Sequence, residues 1–197
     1  MAIALSQVEV ELREIKLSNK PLQMLQASPK GTVPVLVLLE GEVLSESLDI
    51  MHWALSINDP AKIAASWEKS KKLIQMNDGG FKYHLDRYKY GDRYPDESTE
   101  VHKHKGEEFL ALLDQKLHCT DYLLSSDLSF ADLAIVPFVR QWAHVGPTVF
   151  HDQPYSKLQG WLSRMLESKP FIDVMEKYPP WNPKEAGVTF PFQADEL

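Results

Sequence analysis

Glu46 and Ser47 stand where an apolar run, "PVLVLLEGEVLS", gives way to a helical pattern. The first amides of a helix present free N–H groups and the positive end of its dipole, so this position suits an anion. A serine hydroxyl beside those amides can hold a carboxylate, and a glutamate can accept from an α-ammonium. Ser45 and Glu46 can also simply cap the helix, and capping and binding coexist. Pro34 lies 12 residues before Glu46, at the mouth of the apolar run. X–Pro bonds are the only common site of cis peptides, although a proline at the start of a strand is ordinary in itself. Lys20, just before Pro21, adds a cation of the kind that on most surfaces is merely solvated.

The other chemistry-bearing residues are weaker. Ser129 and Asp132 form an S-x-x-D capping box ahead of "FADLAIVPF", a folding element and not a catalytic one. Cys119 is the single cysteine, next to His118, and reads as structural or incidental. Ser6 and Ser18 stand at no helix N-terminus that faces the expected site. His102 and His104 are two apart, so on a helix they diverge and would not chelate one metal. Their setting, "HKHKGEE", reads as a solvated charged face, and no metal site is expected. "FKYHLDRYKYGDRY" is dense in aromatic and basic residues and resembles a nucleic-acid stripe, but the chain's formal charge of −7 opposes that partner. No glycine-rich phosphate loop, Ser-His-Asp order or zinc spacing occurs.

These residues need elements to position them. "MAIALS" reads as the last turns of a helix with no cap ahead of it. Val8, Val10, Leu12 and Ile15 alternate with charged residues as a half-buried strand. "NKPLQMLQASPKG" predicts a short helix capped by Asn19, ending near Pro29-Lys30-Gly31. "PVLVLL" predicts a strand covered on both faces, "EG" a turn and "EVL" a short return strand. A helix then runs from Ser45 or Glu46 to about Ile57. "NDPAK", residues 58–62, is the best linker in the chain. Beyond it the chain is helical, with stripes through Leu73 and Ile74, through Phe109 to Leu117, through Leu133 to Trp142, and through Leu158 to Leu166. "FIDVMEKY" makes a short fifth helix, Pro137 should kink the third, and the proline-rich tail after Tyr178 is expected to be irregular.

The bulk numbers set limits. At 197 residues with a 44% apolar fraction, the chain can build one large domain or two small ones. One cysteine suits a reducing compartment, and no secretory signal or membrane-length apolar run is present. The expectation is a cytoplasmic protein without nucleic-acid or membrane partners.

"NKPLQMLQASPKGTVPVLVLLEGEVLSESLDIMHWAL" resembles the N-terminal domain of glutathione S-transferases, most closely cysteine-type classes such as omega. "SSDLSFADLAIVPFVRQWAHV" and "LQGWLSRMLESKPF" resemble the matching helical domain. The resemblance implies a thioredoxin-like domain over residues 1–57, a linker over 58–62 and an all-helical C-terminal domain over 63–197. It implies a cis Val33–Pro34 bond, with the Val33 backbone pairing with the cysteinyl unit of glutathione. Glu46 and Ser47 would hold the γ-glutamyl end, and Lys20 would reach the glycyl carboxylate. Tyr83, Arg87 and Trp142 are candidates for the second-substrate cleft. Glutathione is the implied co-substrate, a small electrophile or mixed disulfide the implied partner, and a homodimer the family habit.

The family's reactive Cys, Ser or Tyr lies at the end of the first strand or the start of the first helix. This chain begins inside that helix, so no catalytic residue and no first strand are expected in it, and the sheet is expected to have a gap. An internal methionine of a longer protein is the favoured explanation, ahead of a gap filled by another segment or chain, or a rearranged inactive domain. The alternative function is a non-catalytic binding or regulatory module of the same fold.

Overall fold

The computed structural model describes residues 1–191, which divide into two compact units. The first comprises Met1–Ala61 together with the chain from Lys169 onward, and the second is Lys62–Ser168.

In the first unit the order is α1 (Ala2–Ser6), β1 (Val10–Leu12), α2 (Leu22–Ala27), β2 (Leu36–Val37), β3 (Val43–Leu44) and α3 (Ser47–Ile57). The later segment adds α10 (Lys169–Val174) and β4 (Val188–Phe190). The expected βαββα order is present, but the strands are shorter than their apolar patterns. β2 and β3 pair antiparallel, with Leu36 opposite Leu44 and Val37 opposite Val43. β1 lies in a separate two-stranded sheet.

Three expectations are corrected by the structure. The cap of α2 is Pro21, in an extended conformation, and not Asn19; Asn19 instead closes a tight bridge with Lys16. The "PVLVLL" strand is not covered on both faces, since Val37 is 55% exposed and Leu39 fully so. With only one short neighbour, it has no second layer to lie under. Residues 63–197 do not all join the helical unit. β4 pairs antiparallel with β1, Val10 opposite Phe190 and Leu12 opposite Val188, and carries the tail back to the first unit. The Gly187 amide donates to the Glu11 carboxylate at 2.7 Å. A Cβ on Gly187 would lie 2.5 Å from the Leu12 carbonyl oxygen, so only glycine permits this approach. The Trp181 amide donates to the Glu14 carbonyl at 2.7 Å and the Arg13 guanidinium lies over the Trp181 ring. Of the proline-rich tail, residues 181–190 are held by these partners, and residues 192–197 lie outside the described residues.

The second unit contains α4 (Trp67–Met76), a single π-helical turn at Asn77–Phe81, α5 (Lys82–Lys89), α6 (Thr99–Leu117), α7 (Phe130–Val145), α8 (Pro147–His151) and α9 (Ser156–Leu166). α7 is the central helix, with Phe130, Ile135, Val136 and Val139 fully buried. Its capping box forms as its sequence predicts. The buried Asp132 carboxylate accepts from the Ser129 amide, the Leu123 amide and the Trp161 indole at 2.8–2.9 Å. The next α7 amides are met from α4 and the turn before it: Phe130 donates to Ser66 Oγ and Ala131 to Ser70 Oγ. The first amides of α9 are met the same way by Asp114 of α6, which accepts from Lys157 and Leu158. Helix ends that would otherwise leave orphan donors are thus stitched to neighbouring helices. Pro137 lies within a continuous α7.

Candidate functional site

In the first unit, the sequence-nominated residues converge on the loop before β2 and on the start of α3. The Val33–Pro34 bond is cis. Gly31 adopts a left-handed φ of 61°, and a Cβ there would lie 3.4 Å from Lys20 Nζ and 3.2 Å from Leu25. The absent side chain lets the Lys20 ammonium lie over the Gly31 backbone, two residues before Val33. Glu46 is the N-cap of α3 and Ser47 its first residue. The Glu46 side chain does not cap the helix; it accepts from Lys30 Nζ at 2.9 Å. This bond raises the Lys30 ammonium above its usual range. Both side chains are well exposed, so the pair is readily exchanged with a competing ammonium or with water. Ser47 is exposed, and Asp49 is the one acid in the first turn.

The sequence pattern does not single out Lys30. Its signal is weak: a base beside a turn glycine, 16 residues from its partner. Its place shows what this corner can do. Glu46 already holds an ammonium at the N-terminus of a helix whose first hydroxyl, Ser47, is open to solvent. A pocket of about 310 Å³ adjoins Lys20, lined also by Lys16, Asn19, Pro21, Pro180 and Trp181. Two bases and an amide suit a carboxylate-bearing group, while the Trp181 indole N–H is spent on the Glu185 carbonyl at 2.8 Å. The Pro180 and Trp181 wall comes from the tail that β4 returns to this unit.

The Ser6 hydroxyl is fully buried and donates to the Ile3 carbonyl at 3.0 Å. Cys119 is exposed in the second unit, after α6.

There the second-cleft candidates separate. Tyr83 and Arg87 meet on α5: the guanidinium lies 3.5 Å from the Tyr83 ring centre and 4.3 Å from that of Tyr94. Arg87 Nε also donates to both Glu97 carboxylate oxygens at 2.9–3.1 Å. Burial pushes the Glu97 carboxyl up, but bonds from Arg87, His102 and Tyr83 hold it below its usual range. Trp142 is not with them. It is buried against Phe81 and Tyr88 and over Gly106, as part of the core. His102 does diverge from the exposed His104, but it turns inward to His84 of α5. That contact joins residues 18 apart, and the periodicity of neither helix announces it.

Residues 66–169 match the family model described as the glutathione S-transferase C-terminal domain, more than half of the chain. Residues 1–62 match the corresponding N-terminal domain. The chain belongs to the glutathione S-transferase family. Its fold is that of the glutathione S-transferases: a thioredoxin-like N-terminal domain with a helical C-terminal domain. A glutathione S-transferase of Methylobacillus flagellatus, solved with glutathione bound, is similar at 20% identity and a TM-score of 0.74, covering 87% of this chain and 89% of that one. One from Rhodospirillum rubrum is 19% identical, with a TM-score of 0.69 over 91% of this chain and 86% of its own. A delta-class enzyme of Nilaparvata lugens is 23% identical, with a TM-score of 0.70 over 86% and 82%. Among curated protein sequences, none matches this chain. No helix among the described residues is long and apolar enough to cross a membrane.

Proposed function

We propose that this glutathione S-transferase family member binds glutathione through its first unit and transfers the tripeptide's sulfur to a small electrophile or a mixed disulfide, as a cytoplasmic homodimer. The observation that carries the reading is the Lys30–Glu46 ion pair beside the open Ser47 hydroxyl. The γ-glutamyl end of glutathione carries an α-ammonium and an α-carboxylate on one carbon. Its ammonium would replace that of Lys30 on Glu46, and its carboxylate would take the Ser47 hydroxyl and the first α3 amides. Lys20 would meet the glycyl carboxylate, and the exposed Val33 backbone would pair with the cysteinyl unit. The Methylobacillus flagellatus relative, solved with glutathione, supports the same ligand for this chain.

Among the described residues of the first unit, the Ser6 hydroxyl is spent on a backbone carbonyl. This favours a second reading, a non-catalytic glutathione-binding module. One pair of measurements separates the two: retention on immobilised glutathione, and turnover of an activated aryl halide or a glutathione mixed disulfide. Retention with turnover supports the transferase; retention alone supports the binding module; absence of retention removes both.

A further inference from the structure

We propose that His84 and His102 form a two-nitrogen site for a late first-row divalent cation, Cu²⁺ above all, between α5 and α6. The two Nδ1 atoms face one another at 2.9 Å. Metal–imidazole bonds are about 2.0–2.1 Å, so two nitrogens on adjacent corners of a square would be separated by about 2.9 Å. A tetrahedral ion would need them about 3.3 Å apart. In the metal-free protein this spacing is that of an imidazole–imidazole hydrogen bond, and it also equals the bite of a tetragonal site, the geometry that nitrogen ligands give Cu²⁺, which leads the affinity order among these ions.

The protonation state is also prepared. His102 is buried and its Nε2 lies 2.9 Å from the Glu97 carboxylate. The acceptor there fixes the Nε2–H tautomer and leaves the Nδ1 lone pair directed at His84. This is the carboxylate–histidine arrangement that orients metal ligands in other proteins. Arg87 and Tyr83 hold Glu97 in turn. Without metal, His84 Nδ1–H donates to His102 Nδ1. On binding, that proton moves to His84 Nε2 through solvent and the two rings turn from facing one another until both Nδ1 lone pairs converge on the ion, with no net proton released from the neutral pair. Among the described residues, no group of three or more His, Cys, Asp or Glu side chains converges on one point. Water therefore completes the coordination, and the site is of modest affinity.

The groups around His84 are mixed in sign. Burial, His102, Lys105 and Arg87 all disfavour its protonation, while Glu108 favours it. Arg87 is neutralised by Glu97, and Lys105 is paired with Glu108 at 2.7 Å. The histidine pair does not depend on glutathione binding.

The test is Cu²⁺ titration of the whole protein without thiols, read by calorimetry and by electron paramagnetic resonance. One ion per chain with two imidazole nitrogens in its hyperfine pattern is expected. His84→Asn and His102→Ala should each weaken binding tenfold or more and reduce the pattern to one nitrogen. His104→Ala and Cys119→Ser should leave both readouts unchanged. His84 is only half-buried, so its variant tests the site even if the His102 variant fails to fold. Undiminished binding in His84→Asn, or no two-nitrogen signal in the wild type, overturns the proposal.

Discussion

At the residue scale, the molecule's polar chemistry lies in pairs that join distant parts of the chain. Lys30 finds Glu46, Asp114 caps α9, and His84 meets His102. The last pair makes a pH prediction. The His84 pKa is depressed by burial, then by the positive charges of its neighbours, below the ordinary value of 6.5. The unfolded chain therefore binds this proton more readily than the folded one. The corresponding stability is present above the ordinary histidine pKa, and it is lost as pH falls through the folded value. In metal-free buffer, the wild type should lose more urea resistance between pH 8 and pH 5 than His84→Asn does. Equal losses in the two proteins would show that the pair is not proton-linked. None of these partners was legible as a pair. The capping box was, because its two residues are three apart and their bonds are local. His84 and His102 were legible only as helix residues, since nothing local encodes which faces of α5 and α6 meet.

At the element scale, the start and end of α3 and the stripes of α4, α6, α7 and α9 were readable from periodicity, because each helix buries one face along its whole length. The strands were readable as apolar runs but not in their lengths or exposure, which depend on how many neighbours they find. β4 was missed altogether: its partner β1 lies at the other end of the chain, and the prolines around it argue locally for irregular structure. The contact of α6 with α7 supplies a second prediction. Gly106 lies in the middle of α6, where alanine would ordinarily stabilise by about 0.5–1 kcal/mol. Here a Cβ would fall far inside contact distance of the Trp142 ring, and that ring is buried against Phe81 and Tyr88. Overpacking of this kind costs about 1–3 kcal/mol, so the clash decides the sign. Gly106→Ala should lower the melting temperature by several degrees. An unchanged or raised melting temperature would mean that Trp142 has room to move.

At the scale of the whole molecule, the family was legible because two separated segments each carried part of its pattern. The division of the chain was less so. The two units divide after Ala61, and the segment from Lys169 returns to the first unit and brings Trp181 beside Lys20. The candidate glutathione site is thus built from the beginning and the end of the chain, and its second wall could not be read from the N-terminal pattern. The central claim is that the N-terminus of α3 receives the γ-glutamyl end of glutathione. Calorimetric titration of glutathione into the wild type and Ser47→Ala tests it most directly. Hydrogen bonds to charged groups are worth about 1.5–3 kcal/mol, so Ser47→Ala should weaken binding about tenfold or more while circular dichroism and melting temperature stay unchanged. Equal affinity in the two proteins, or no binding to the wild type, would contradict the account.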